Sequence, residues 1–144
     1  MTERMIRQII EGQEPVTAAA SMTVAEAARL MKERKVGALM VIEDEKLVGV
    51  FTERDGLFRV LAEGRPGDAT PLGDVMTRNP QTIGAEKPFV HALQMMHEGG
   101  FRHLPVVEGD RVIGIVSVRD ALGPELEAFV YELLRQEQIG EVLA

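Results

Sequence analysis

The chain matches itself at an offset of 65 residues. Pro15–Asp55 aligns with Pro80–Asp120 without a gap, and twelve of the 41 paired positions are identical, among them Leu39/Leu104, Val41/Val106, Gly49/Gly114, Arg54/Arg119 and Asp55/Asp120. Others are conservative swaps, such as Lys46/Arg111, Val48/Ile113 and Thr52/Ser117. A period of this kind specifies a supersecondary unit whose apolar face its twin must cover.

Each copy reads in the same order. In the first, residues 3–11 carry a short helical pattern ending at Gly12, and Val16–Ala19 is a brief extended piece. Thr23 with Glu26 forms a capping box, followed by Val24, Ala27, Ala28 and Met31 at helical spacing as far as Lys35. Ala38–Ile42 and Leu47–Phe51 flank the polar turn Glu43–Lys46, which predicts a hairpin. Thr52 opens a helix that runs through Leu57, Phe58 and Leu61 to Gly64. The stretch Gly64–Pro71 concentrates glycine and proline and reads as a linker.

The second copy repeats this order. A short helix lies around Leu72–Met76 and a strand at Thr82–Ile83. Pro88 is expected at the first helical position, ahead of the stripe Phe89, Ala92, Leu93 and Met96. Leu104–Val107 and Val112–Val116 form the hairpin. From about Val118 a last helix is expected to run past Pro124, with Leu126, Phe129, Val130, Leu133 and Leu134 as a wide apolar stripe. The expected organisation is residues 1–63, a linker at 64–71, and residues 72–144, together one module. A single three-stranded unit buries too little surface to stand alone. The predicted fold is therefore α+β: two βαββα motifs packed about a pseudo-twofold axis, with flanking terminal helices and a shared cleft.

Composition narrows function. There is no cysteine, hence no disulfide framework and no thiolate metal site. Acidic residues outnumber basic ones 23 to 16, which leaves no basic footprint for nucleic acid. The opening MTERMIRQIIEG is too polar for a signal peptide, and no apolar run approaches a membrane span, so a cytoplasmic location is the expectation. His91 and His97 stand six apart on a helix, on different faces, and are not expected to share a metal. No P-loop, G-x-G-x-x-G or nucleophile elbow is present, so no enzyme activity is expected.

Each hairpin ends in the same phrase: Gly49-Val-Phe-Thr52-Glu-Arg54-Asp55, and Gly114-Ile-Val-Ser117-Val-Arg119-Asp120. A hydroxyl at a strand–helix junction, with a carboxylate three residues on, turns both groups toward the free N–H groups of a helix start. Such a place suits a phosphate, and the carboxylate suits the vicinal hydroxyls of a ribose. Thr-x-x-Asp also serves as a plain helix cap. Its recurrence at one place in a repeat favours a ligand role.

The repeated unit and its G-h-x-[T/S]-x-x-[D/N] ending, in GALMVIEDEKLVGVFTERD and FRHLPVVEGDRVIGIVSVRD, with the connecting DVMTRNPQTI, resemble a tandem pair of CBS domains, or Bateman module, over about Ile9–Leu122. The resemblance implies a stand-alone regulatory or sensor module that binds an adenosine-containing ligand (AMP, ADP, ATP, NAD or S-adenosylmethionine) in clefts between the motifs. It implies ribose contacts from Asp55 and Asp120, and ribose or phosphate contacts from Thr52 and Ser117. Arg54 and Arg119 would add positive charge. Thr17–Ala18 and Thr82–Ile83 would flank the base; Ala38, Leu39 and Met40, and His103, Leu104 and Pro105, would line the opposite wall. Arg102 and His103 have no cationic counterpart in copy one, so the second-copy site, with Asp120, is expected to hold a phosphorylated ligand better. A homodimer and an unidentified effector protein are the expected partners; a dimeric scaffold with vestigial pockets is the alternative.

Overall fold

The computed structural model describes residues 4–143. Two sheets carry the repeat. In the first, β1 (Thr17–Ala18) lies parallel to β2 (Ala38–Glu43), which pairs antiparallel with β3 (Lys46–Thr52). In the second, β5 (Ile83–Gly84), β6 (His103–Glu108) and β7 (Arg111–Ser117) repeat that pattern. Both hairpins shift register at the same relative place, between Val41 and Ile42 and between Val106 and Val107. The first hairpin turns through Asp44 and Glu45, both at positive φ (50° and 66°), as a tight two-residue turn requires.

Helix α2 (Val24–Arg34) starts at Thr23, whose hydroxyl accepts the Glu26 N–H at 3.2 Å. Its Val24, Ala27 and Met31 pack with Leu39, Val41 and Phe51 of the sheet into the first core. Helix α5 (Phe89–Gly99) does the same in copy two with Phe89, Ala92, Leu93 and Met96. Pro88 is its N-cap rather than its first helical residue. The two helices end on left-handed residues at equivalent positions, Lys35 (φ 56°) and Gly100 (φ 71°).

The lead helices cross over. α1 (Ile6–Ile10), grouped with copy one in the sequence, buries Ile6 and Ile10 in the second core. Its equivalent α4 (Leu72–Val75) places Leu72 and Val75 in the first core. Each copy's leader thus covers the other copy's sheet, which ties the two halves together. The stretch read as a linker is partly packed: Thr70 is buried, and its carbonyl accepts the Val24 N–H at 2.9 Å.

Two elements depart from the sequence reading. A fourth strand, β4 (Thr77–Arg78), pairs antiparallel with β3. Its counterpart in copy one is Gly12–Gln13, where Gly12 turns the chain at φ 78°. There the Gln13 side chain stands in for a strand, accepting the Ile115 N–H at 3.0 Å and donating to the Ile115 carbonyl at 3.1 Å. The last helix is also broken. Val118–Asp120 forms a single 3₁₀ turn, Ala121 is extended (ψ 130°), and α6 (Gly123–Leu143) begins afresh. Pro124 has no N–H to give the Asp120 carbonyl, as a continuous helix would need. Arg4 Nη2 donates to that carbonyl instead, and its guanidinium also grips Glu125 at 2.7 and 3.0 Å.

The sheets meet through β3 and β7. Alternation turns Leu39 and Val41 toward the helices and leaves Ala38, Met40, Val50 and Thr52 on the face toward the other sheet. In copy two the equivalent face carries His103, Pro105, Ile115 and Ser117. The candidate site lies along this seam.

Candidate functional site

Asp55 is the most constrained polar side chain on the seam. β3 delivers Thr52 in an extended conformation (φ −118°, ψ 165°), and a helix begins at once: α3 (Glu53–Asp55), continuing as a π-helical stretch over Gly56–Leu61. The Thr52 hydroxyl accepts the Asp55 N–H at 3.2 Å, and Asp55 Oδ2 accepts the Thr52 N–H at 3.0 Å. Thr77 Oγ1, from β4, donates to Asp55 Oδ1 at 3.3 Å, and Arg59 Nε stands 3.5 Å from the same oxygen. Only 7 % of Asp55 is exposed. A carboxylate has about four acceptor positions; the Thr52 N–H and hydroxyl, the Thr77 hydroxyl and Arg59 meet them here, so this one is tightly oriented, and an incoming hydroxyl would take the place of a Thr52 or Thr77 hydroxyl.

Asp55 faces a cavity of about 540 Å³ to which both copies contribute. Copy one gives Val50, Thr52, Arg54, Asp55, Phe58 and Arg59. Copy two and its leader give Thr77, Asn79, Pro80, Gln81, Gly99–Phe101 and His103. Arg54 spans the copies: Nη1 donates to the Gly100 carbonyl at 3.2 Å, and the guanidinium lies 6.0 Å from the Phe58 ring centre. A flat apolar wall, a fixed carboxylate and nearby cations thus border one space.

A second cavity of about 360 Å³ opens beside it and shares Thr52, Arg54, Phe58 and His103. It sits on the pseudo-twofold axis, because repeat-related residues line it in pairs: Thr52 with Ser117, Glu53 with Val118, Arg54 with Arg119. Arg102 joins them. Burial pushes the His103 imidazole below its ordinary pKa; Glu53 pulls it back up, while Arg119 and Arg102 add to the depression and Asp120 opposes it. His103 is thus neutral near neutral pH in the unliganded protein. A third cavity of about 520 Å³, beside α2, includes Lys32, Lys35, Glu53 and Arg119.

The second Asp is held less well. Asp120 Oδ2 accepts the Ser117 N–H at 2.7 Å, and Asp120 is half-buried. The residues equivalent to Thr77 and Arg59 are Gly12 and Pro124, so neither group recurs at its matching place; the guanidinium near Asp120 is that of Arg4, on its backbone carbonyl.

The structure therefore groups the expected site residues across copies. Thr52, Arg54, Asp55 and His103 border the cavity of about 540 Å³; Arg102, Ser117 and Arg119 border the axial one. His103, beside Ser117 and within reach of the Asp120 charge, also borders the Asp55 cavity, because the sheets pack face to face and bring β6 against the start of α3. Thr17, Ala18, Thr82 and Ile83 line none of the three large cavities; Asn79–Gln81, one to three residues before Thr82, line the Asp55 cavity instead. Ala38, Leu39, Met40, Leu104 and Pro105 are buried and also line none. Leu39 and Leu104 belong to the cores, and Met40 and Pro105 fill the seam. Sequence reasoning missed Arg59, Phe58 and Thr77, whose signal lay in the differences between copies: Arg59/Pro124, Phe58/Gly123 and Thr77/Gly12. Among the described residues no cluster of His, Asp and Glu could hold a metal ion, and no helix is long and apolar enough to cross a membrane.

The CBS domain family model matches twice, over residues 6–61 and 72–124. A CBS domain-containing protein of Arabidopsis thaliana, CBSCBSPB1, is 39% identical over 74% of this chain, which spans only 20% of that relative. The Bacillus subtilis CBS domain-containing protein YhcV is 36% identical over 72% of this chain and 74% of its own length. Among solved structures, the CBS domain pair of protein MJ0100, in complex with 5′-methylthioadenosine and S-adenosyl-L-methionine, superposes with a TM-score of 0.75 at 27% identity, covering 83% of this chain and 93% of that one. The CBS domain protein PAE2072 of Pyrobaculum aerophilum, complexed with AMP, shares the fold at a TM-score of 0.78 and 22% identity, over 88% of this chain and 98% of that one. Two matches to one family model, on two copies that pack across a common seam, make this chain a tandem pair of CBS domains and a member of that family.

Proposed function

We propose that the chain is a regulatory module that binds an adenosine nucleotide in the Asp55 cleft. The observation that carries this is the Asp55 carboxylate, buried, fixed by Thr52, Thr77 and Arg59, and aimed into a cavity that opens onto an axial cluster of cations. In this reading Asp55 accepts the ribose hydroxyls, and Phe58 and Phe101 give the base a flat apolar surface. Arg54 and His103 meet the first phosphate and, across the axis, Arg102 and Arg119 face any that follow; guanidinium forks suit that task. The adenosyl ligands of the MJ0100 and PAE2072 complexes support the ligand class. The Asp55 cleft, rather than the Asp120 side, is the principal site, since Thr52, Thr77 and Arg59 fix its carboxylate whereas Asp120 accepts a single backbone N–H. The role is non-catalytic, with output passing to an effector protein through differential binding of two shapes.

We also infer a homodimer. Leu57 and Leu61 on the helix after Asp55, and Leu122 and Leu126 at the positions 65 residues later, are 52 %, 72 %, 54 % and 47 % exposed. Apolar side chains at repeat-related places form the kind of surface that a second copy covers.

A thermal-shift panel tests the ligand reading. Purified protein freed of nucleotide is heated with AMP, ADP, ATP, NAD, S-adenosylmethionine and, as control, GTP. A ligand at a hundred times its Kd stabilises by about 2.7 kcal/mol, and an adenosine nucleotide should give that shift. No shift with any adenosyl ligand would favour the scaffold alternative.

A further inference from the structure

The axial cavity holds one acid among its bases. Glu53 opens α3 beside Arg54, Arg102, His103 and Arg119, and is exposed to the cavity. Its neighbourhood differs from its repeat-related counterpart in a coordinated way. Val118 stands where Glu53 does, Ala38 where His103 does, and Arg102 where Gly37 does. Gly37 makes room: a methyl built on it would overlap the Glu53 carboxylate and lie 3.2 Å from His103 Nε2. The carboxylate and the imidazole thus abut the same backbone, and the Glu53 N–H donates to the Gly37 carbonyl at 3.0 Å. A carboxylate placed among cations at the end of a nucleotide cleft occupies ground that the outer groups of a phosphate chain would take.

We propose that Glu53 sets the phosphate number of the ligand, favouring the monophosphate over the di- and triphosphate. This rests on the adenosine-nucleotide reading of the Asp55 cleft. A nucleotide seated there has its first phosphate within the shared ground of Thr52, Arg54 and His103, short of the axis. Each further phosphate moves charge toward the Glu53 carboxylate, which has to swing away or be repelled. The other copy, with Val118 in this place, has no such group.

The test is calorimetric titration of the full chain and of Glu53→Gln and Glu53→Val with AMP, ATP and inorganic tripolyphosphate. Glu53 is exposed, and Val is the residue the other copy uses, so both variants are expected to fold; circular dichroism checks this. The expected result is a roughly fivefold gain in affinity for ATP and tripolyphosphate, the scale of one exposed charge pair, with AMP changed less than twofold. Equal changes for AMP and ATP, or no gain for either polyphosphate, would overturn the proposal. If the wild-type chain binds neither nucleotide but the variants gain tripolyphosphate binding, the nucleotide reading fails while Glu53 keeps its role as a charge filter.

Discussion

Replacing Asp55 by alanine separates the two carboxylates most sharply. In the folded protein Asp55 accepts the Thr52 N–H at 3.0 Å and the Thr77 hydroxyl at 3.3 Å, and pairs with Arg59 at 3.5 Å. Losing the capping contact costs about 1 kcal/mol. The Thr77 bond adds about 0.5–1 kcal/mol, and the half-exposed Arg59 pair at most about 0.5 kcal/mol. Asp55→Ala should therefore lower stability by about 2 kcal/mol, a fall of about 6 °C in Tm for a chain of this size. Asp120 accepts one backbone N–H, from Ser117, so Asp120→Ala should cost about 1 kcal/mol and about 3 °C. The ligand effects should diverge further. Two hydroxyl bonds to a charged acceptor are each worth about 1.5–3 kcal/mol, so Asp55→Ala should weaken an adenosine nucleotide by at least a hundredfold. Asp120→Ala should change it less than about fivefold, an exposed charge pair's worth. Differential scanning calorimetry reads the first pair of values and isothermal titration the second. The reasoning is refuted if Asp120→Ala costs more affinity than Asp55→Ala, or if Asp55→Ala leaves affinity within threefold of wild type.

Three further outcomes follow from individual contacts. Burial holds the His103 imidazole below its ordinary value of about 6.5. The unfolded chain thus takes up that proton first, and His103 lowers stability as pH falls from about 6.5 toward its folded value; His103→Gln should flatten that slope in thermal melts. A bound phosphate reverses the sign, since it favours the imidazolium, so nucleotide affinity should rise as pH falls through the same range, and proton uptake on binding should vanish in His103→Gln. Lys35 ends α2 at φ 56°, where its counterpart is Gly100; a left-handed non-glycine residue costs about 1–2 kcal/mol, so Lys35→Gly should raise Tm by a few degrees after the flexibility glycine adds to the unfolded chain. Gln13→Ala removes both hydrogen bonds to Ile115 and should cost about 1–2 kcal/mol in a denaturant titration; an unchanged midpoint would deny Gln13 its place at the sheet edge.

The repeat made most of the fold legible. Pattern and spacing located both hairpins, both covering helices and the Thr52/Asp55 and Ser117/Asp120 pairs, because those features are local and occur twice. What escaped was non-local or unsymmetrical. β4 is two residues long and exists only by pairing with the edge of β3, so no periodicity announces it. Pro124 broke the last helix although the apolar stripe beyond it is continuous in phase. His103 reads from the sequence as part of the Asp120 side; sheet-on-sheet packing sets it on the wall of the Asp55 cavity as well. The buried fate of Leu39, Met40, Leu104 and Pro105 follows from strands whose two faces are both covered, one by helices and the other by the second sheet. Arg59 and Thr77, which single out Asp55, are visible only when the copies are compared for their differences.

The central claim, one adenosine nucleotide seated on Asp55 with its phosphate toward the axis, is tested most directly by a crystal structure of the protein grown with AMP. The account predicts the ribose hydroxyls on the Asp55 carboxylate, the base beside Phe58 and Phe101, and the phosphate between Arg54 and His103. Nucleotide bound at Asp120 with the Asp55 cleft empty, or no nucleotide at a saturating concentration, would contradict it.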